Sequence, residues 1–426
     1  MKKIITLILA VAAATAGLSA EGGVDFSGEV ETVWGVGAPW TDSDVSAGRF
    51  LLGNTAFTGK LDAFYGNSSA MAEGSISYDA VSNELDISLN EIWVDYTDSF
   101  WGVRIGRQKA AWGKADGIDI TNVITPKDMS SFSAMTGDDS HLAIDAVRLS
   151  LSGDKFTADA YWIPFFTPSP LPLNEGNVLR KFVVPETYSV PMPALGTTLS
   201  LPISIGSIEK PESAVWNSEF GVKVSGYFSA CDVSLYGFYG WDDKPVLDYN
   251  MTFTGPMPSG ITVSGSYKRM AMFGADAAIP VKETVLRTEL AFFPMRYFGA
   301  SEQRNQLSAL AGIDWMPVNW TLTAQYYCDV VLGDLEPIER EDAYKHGATI
   351  SVSRQLLNET LEVSLSGLLN FNDFDSLINP SVNYSLSDQI KLEGGAYIFV
   401  PGPKADGEYG AYKDLSTIYI KAKYSF

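Results

Sequence analysis

Cys231-Asp232-Val233-Ser234-Leu235-Tyr236-Gly237-Phe238-Tyr239 is the stretch whose reading decides the fold. Val233, Leu235 and Tyr239 share one parity, and Asp232 and Ser234 share the other. A helix would scatter those two sets around its circumference, whereas a strand puts them on opposite faces. Residues 320–330 repeat the pattern, with Leu322, Ala324, Tyr326 and Val330 on one side and Thr321, Thr323, Gln325 and Asp329 on the other.

Working outward from these two segments places strands at about 24–36, 49–64, 68–79, 86–97, 101–108, 141–151, 155–163, 214–227 and 231–241. Nine more follow at about 267–280, 284–293, 304–316, 319–330, 344–354, 360–371, 376–385, 389–400 and 414–426. The total is even, 18, with 16 as the fallback count. Connections alternate in length: short turns at 97–100, 153–154, 228–230, 281–283, 317–318, 355–359 and 386–388 separate longer pieces such as 37–48, 109–140, 164–213, 241–266 and 401–413. That rhythm belongs to an all-β, closed antiparallel transmembrane barrel with short periplasmic turns and long external loops. Closure is the energetic reason for the architecture, because a ring leaves no strand edge and satisfies every backbone polar group inside hydrocarbon. On the last strand Ile418, Ile420, Ala422, Tyr424 and Phe426 share one face, and a terminal aromatic there resembles the signal read by barrel-assembly machinery. Trp34, Tyr96, Trp101, Trp162, Trp216, Trp241, Trp315, Trp320 and Tyr384 fall near strand ends, as interfacial girdles require.

Composition agrees. Aromatics make up 12% of the 426 residues, glycine numbers 38, and charged residues reach only 19% against roughly 25% in soluble domains. Residues 1–20 read as a secretory signal peptide, with Lys2 and Lys3 before an apolar run and small residues at the junction, so the barrel occupies 21–426. No later segment offers about 18 consecutive apolar residues for a membrane helix. Removing Lys2 and Lys3 from the 30 basic residues leaves 28 against 51 acidic, a charge of −23, which argues against nucleic acid as a partner. Cys231 and Cys328 are expected as free thiols on the apolar parity, and two cysteines with two histidines leave little for a metal centre or cofactor. The histidines His141 and His346 have no triad spacing, so no enzyme is expected. The pairs Asp138-Asp139 and Asp242-Asp243 lack EF-hand spacing.

The fifth strand ends Gly106-Arg107-Gln108, followed by Trp112-Gly113 and Asn122-Val123-Ile124-Thr125-Pro126-Lys127-Asp128. These motifs resemble a porin-like bacterial outer-membrane family of unassigned function, over about 25 residues closely and elsewhere only as barrel pattern. The resemblance implies a pore or uptake role. Porins commonly fold the loop after this strand inward, so 109–140 is expected as a constriction loop carrying Lys114, Asp116, Asp119, Lys127 and Asp128, with Asp138 and Asp139 further along. Thr125 as N-cap and Pro126 at the first position predict a short helix there.

Polar parity turns Arg104, Arg148, Lys223 and Arg287 into the lumen with Asp95, Glu219, Asp232, Glu289, Asp314 and Asp329. A midplane Arg or Lys on the lipid face would cost about 2–4 kcal/mol. The expected arrangement sets Arg104, Arg148 and Arg287 against Asp116, Asp119 and Asp128 in a transverse field that orients polar solutes. The Pro-rich segment 164–213, with Phe165-Phe166, Phe182-Val183-Val184 and other apolar clusters, should bury itself as a lid or plug. The expectation is therefore a channel for passive diffusion of small solutes across the outer membrane, surrounded by its lipid. The alternatives are a carrier of hydrophobic compounds and a surface adhesin or structural barrel. Solute and oligomeric state stay open at this level.

Overall fold

Alternating side chains and short turns build a ring of hairpins. The computed structural model describes residues 22–42, 44–131, 140–174, 177–192, 197–299, 301–338, 340–404 and 407–426. The expected leader 1–20 and the pair Asp138-Asp139 lie outside them.

The first seven strands are β1 (Gly22–Gly37), β2 (Phe50–Tyr65), β3 (Ser68–Asp79), β4 (Glu84–Thr97), β5 (Trp101–Gln108), β6 (Ile144–Ser152) and β7 (Phe156–Ile163). Then come β8 (Thr187–Met192), β9 (Thr197–Glu209), β10 (Glu219–Tyr227), β11 (Asp232–Trp241), β12 (Val246–Thr254), β13 (Met257–Ser266) and β14 (Arg269–Val281). The chain ends with β15 (Thr284–Tyr297), β16 (Gln303–Trp315), β17 (Trp320–Leu332), β18 (Tyr344–Leu356), β19 (Leu361–Asn370), β20 (Asp375–Ser385), β21 (Ile390–Val400) and β22 (Thr417–Ser425).

Eighteen of these form one antiparallel sheet that closes on itself. Chain neighbours pair around the ring, β7 pairs with β10, β11 pairs with β14, and β22 returns to β1 with Trp34 opposite Ile420. Connections at one end are short, such as 98–100, 153–155 and 282–283, while the other end carries 38–49, 109–143, 164–218, 242–268 and 401–416. The closing seam extends past β22: Phe426 and Gly28 exchange both backbone hydrogen bonds at 2.9 Å.

The two expected faces separate as the parity requires. Outward residues such as Phe26, Ile105, Leu235, Phe273 and Ile420 are exposed, which is where lipid would cover them, and the expected girdle aromatics fall within three residues of a strand end, except Trp216, which lies in a turn ahead of β10. Both cysteines are free; Cys328 points outward on β17, and Cys231 sits in the turn before β11. Among the described residues no helix is long and apolar enough to cross a membrane, which says nothing about crossing by strands.

Three expectations need correction. The sixth and eighth barrel strands begin at Ile144 and Glu219, later than the alternation indicated, because Val215–Asn217 forms a 3-10 turn ahead of the latter. The helix at Thr125 does not form. Its hydroxyl donates to Asn122 Oδ1 at 3.0 Å, and the amides that a helix would use go elsewhere: Lys127 N–H to Ser169 Oγ and Asp128 N–H to the Ser140 carbonyl. A single turn pays nucleation without propagation, so distant partners win. Finally, β8, β9, β12 and β13 make a separate four-stranded sheet from the connections 164–218 and 242–268, with β9 parallel to β13.

Candidate constriction site

The lumen wall places Arg104 and Arg148 on adjoining inward positions of β5 and β6, and Lys223 on β10 beyond the intervening β7, opposite Asp159. Arg104 lies opposite both Asp95 and Arg148 in the strand register. Two guanidiniums directly opposed repel each other, and carboxylates relieve this. Arg104 Nε contacts Asp95 Oδ2 at 2.9 Å, and Arg148 reaches Asp95 at 3.6 Å and Asp159 at 3.9 Å. Arg104 also lies 3.7 Å above the Trp93 ring. These arginines are thus engaged with wall carboxylates and not with the loop, contrary to the expected field across the lumen. Lys223 Nζ donates to the Ala111 carbonyl at 3.0 Å.

The loop segment 109–131 leaves β5 and meets the opposite wall. Glu289 on β15 is only 2% exposed and receives four donors from it. The N–H groups of Lys114 and Ala115 donate to Oε1, and the N–H and hydroxyl of Thr121 donate to Oε2 at 3.2 and 2.9 Å. Gly113 sits at φ +85°, and a Cβ there would collide with the same carboxylate. Arg287 Nη1 donates to the Lys114 carbonyl at 2.8 Å and to Asp116 at 2.9 Å, while its Nε contacts Asp314 at 2.5 Å. Asp116 is fixed again by Gln325 on β17, whose side chain accepts its N–H at 3.0 Å and donates to its carbonyl at 2.8 Å. Gly113 N–H also donates to Tyr236 Oη, whose hydroxyl in turn donates to buried Asp276.

Apolar contacts complete the seat. Trp112, Ile120 and Ile124 pack with Tyr161, Ile163, Tyr236, Phe238, Met272 and Phe293 of the inner wall. Burial of each such side chain is worth about 1.5–3 kcal/mol. Of the remaining loop charges, Asp119 turns back to His141 at 3.0 Å and Lys127 at 3.8 Å. Asp128 accepts from Ser130 N–H and Oγ at 2.8 and 2.6 Å. Neither meets a wall arginine, so only the Arg287–Asp116 member of the expected set is brought together.

The long segment after β7 crosses the loop end of the barrel. Near its start, Ser169 Oγ donates to Asp243 at 2.5 Å and Phe166 packs on Tyr267 with ring centroids 4.8 Å apart. It touches the inward segment where Asn177 Nδ2 donates to the Ser130 carbonyl at 2.7 Å. Farther on, Val178, Leu179 and Phe182 pack with Leu51, Leu377, Tyr397, Phe399, Tyr409 and Tyr419, on the β2 and β20–β22 side. Burial pushes the Asp243 carboxyl up from the usual range. Its neighbour Asp242 is also buried, yet the Arg296 guanidinium 2.7 Å away outweighs that and holds it low. Asp242 therefore serves an ion pair.

Between the tip of the inward segment and the β17–β20 wall lies a cavity of about 310 Å³ lined by Asp116, Thr323, Gln325, Ser351, Ser366 and Asn379, among others. Sequence placed Glu289 among the lumen acids and Gln325 on a polar face, without giving either a role in seating the loop. Their parity was visible, but parity alone ranks Glu289 with every other inward acid. His141 is engaged with Asp119 and Asn122, and His346 lies on the outer face against Tyr326, Tyr344 and Phe371. Among the described residues no group of three or more His, Cys, Asp or Glu is arranged to hold a metal ion.

A family model described as "Protein of unknown function (DUF1302)" matches residues 54–375. No curated protein sequence matches. Among solved structures, Pseudomonas aeruginosa OpdK with vanillate gives a TM-score of 0.54 at 8% identity, covering 95% of this chain and 98% of that chain. The outer membrane protein OpdK of the same organism gives 0.52 at 7% identity, over 95% of this chain and 99% of that one. Acinetobacter baumannii OccAB3 gives 0.52 at 6% identity, over 96% and 100%. At such identities the likeness is one of fold.

Proposed function

We propose that this chain, which belongs to the DUF1302 family, is an outer-membrane channel through which small polar solutes diffuse passively, with segment 109–131 setting the constriction. The observation that carries the reading is the division of the lumen. The inward segment fills one side with a buried apolar cluster, while beside its tip the β17–β20 wall surrounds a cavity with the hydroxyls and amides of Thr323, Gln325, Thr349, Ser351, Ser366 and Asn379, together with Leu368 and Leu377. A wall of neutral hydrogen-bonding groups replaces part of a solute's hydration without trapping it, which conduction needs. Arg287, Asp116 and Asp314 are the charges nearest that path. Arg104, Arg148, Lys223 and Asp95 brace the wall, and Lys114, Asp119, Lys127 and Asp128 shape the loop.

The test is direct. Protein folded in detergent should migrate differently before and after boiling, and should produce discrete conductance steps in planar bilayers. A boiling-sensitive barrel that never conducts would sink the channel reading while leaving the fold.

A second reading, transport of hydrophobic compounds, has one specific observation in its favour: the external sheet exposes Tyr188, Tyr249 and Phe253 beside the loop end of the barrel. Uptake of a labelled hydrophobic probe by cells producing the protein would favour it, provided that replacing those aromatics with Ser lowers uptake and leaves ion conductance unchanged.

A further inference from the structure

Among the described residues that line the cavity at the tip of the inward segment, Asp116 is the only charged one. Its side chain is 59% exposed, whereas the Arg287 that it contacts is 26% exposed and stands between two carboxylates, Asp116 at 2.9 Å and Asp314 at 2.5 Å. Asp314 itself is buried. The trio sums to one negative charge, and the member presented to the path is the carboxylate. Every other cavity-lining group is neutral, and Thr323, Gln325, Ser351, Ser366 and Asn379 all carry an oxygen able to face a cation.

The rest of the inward wall does not restore the balance. Arg104 and Arg148 are taken up by Asp95 and Asp159. On the polar side Lys423 pairs with Glu29, Lys421 with Glu393 and Lys60 with Asp62. Asp25 and Glu31 share the inward parity of Glu29, against Lys391 on the parity of Glu393, and the inward Lys223 and Lys345 each stand opposite an acid in register, Asp159 and Asp329. A narrow passage lined by one excess sign raises the local concentration of counter-ions and repels co-ions.

We propose that the constriction is a cation-preferring filter in which Asp116 is the specificity-determining residue, admitting small inorganic or organic cations and disfavouring anions. The inference rests on the channel reading and adds the sign of the permeating solute. It runs against the sequence-based expectation of a basic wall facing an acidic loop, because the wall arginines are already neutralised.

The experiment uses the full-length barrel in planar bilayers under a KCl gradient, reading the reversal potential. Wild type should prefer K⁺ over Cl⁻. A unit charge about 5 Å from an ion in a water-like dielectric changes its occupancy by about fourfold, so Asp116→Asn should lower the permeability ratio by roughly that factor. Asp116→Glu should retain it. Because Asp116→Asn also releases Arg287, a second variant leaves the trio untouched: Ser366→Lys on the opposite cavity wall should lower the ratio comparably. Boiling-dependent migration checks folding in each. A wild type that conducts without cation preference overturns the filter and leaves the channel. So does a ratio unmoved by either variant. Absence of conductance throughout overturns the channel, and the filter with it.

Discussion

Glu289 is the residue on which the inward segment should depend most, and its contacts allow the dependence to be worked out. Four donors converge on its two oxygens. Hydrogen bonds to a charged partner are worth about 1.5–3 kcal/mol each, and a buried donor left unmade costs about 1–3 kcal/mol. Glu289→Gln keeps one carbonyl oxygen for Lys114 and Ala115 but turns an amide N–H₂ toward Thr121. The Thr121 hydroxyl can rotate to accept, whereas its backbone N–H loses its acceptor. The local cost is therefore about 2–4 kcal/mol, which is roughly 30-fold to 1000-fold in the equilibrium for lifting the tip, at about 1.4 kcal/mol per tenfold. Trp112 and Ile124 remain packed at either side, so the tip should lift while its flanks stay seated. Hydrogen exchange at Lys114, Ala115 and Thr121 should accelerate, and single-channel conductance should fluctuate toward a larger level, more so in Glu289→Ala. The barrel should keep its boiling-dependent migration, since Leu290 and its neighbours pair through the backbone. If both variants exchange and conduct as wild type does, apolar packing alone seats the segment and the carboxylate argument is wrong.

Replacing 115–131 with a short Gly-Ser linker should raise single-channel conductance and weaken solute discrimination; an unchanged conductance means that the segment does not limit the path. Leu179→Asp puts a charge into the cluster of Leu51, Phe399 and Tyr409 beneath the crossing segment, and should increase both its protease sensitivity and the open fraction of the channel. Asp243 gives a pH signature: its folded pKa is raised by burial, so the stability that its protonated form contributes is present below the unfolded carboxylate pKa and is lost as pH rises through the raised folded value. Acidification should thus relieve the cost of burying this carboxyl beside the crossing segment, even as the bond from Ser169 weakens with protonation of its acceptor, so conductance should fall, and Asp243→Asn should abolish that dependence. Asp242, held low by Arg296, titrates only below the usual carboxylate range, where its contribution is lost as pH falls.

How far the sequence could carry these conclusions depends on the range over which each feature is determined. The parity of 231–239 and 320–330 is a local property of extended backbone, enforced at every second residue by what lies on each side, and β11 and β17 follow it. The strands β8, β9, β12 and β13 are different. They pair outside the ring, β9 and β13 are joined in parallel across a large sequence separation, and prolines such as Pro191 and Pro202 interrupt the alternation. Nothing in a period of two identifies a partner that distant.

The site divides along the same line. The Arg104–Asp95 pair was legible, because the turn at 98–100 sets the β4–β5 register and puts the two residues opposite each other. Applying that hairpin register would have withdrawn Arg104 from the expected field. Glu289 was not legible, since Asp276 and Asp314 share its inward parity. What distinguishes Glu289 is that the chain beyond Gly113 turns three backbone amides toward it. That turn is itself possible because Gly113 adopts a left-handed φ, and the glycine's missing Cβ leaves room for the carboxylate. The Trp112-Gly113 pair is therefore a docking element: the indole enters the apolar cluster while the glycine admits the acid. Gly113→Ala should accordingly reproduce much of the loss caused by Glu289→Ala, although it removes no hydrogen-bonding group. Conductance unchanged in Gly113→Ala, with Glu289→Ala enlarged, would separate the two and refute this account of the motif.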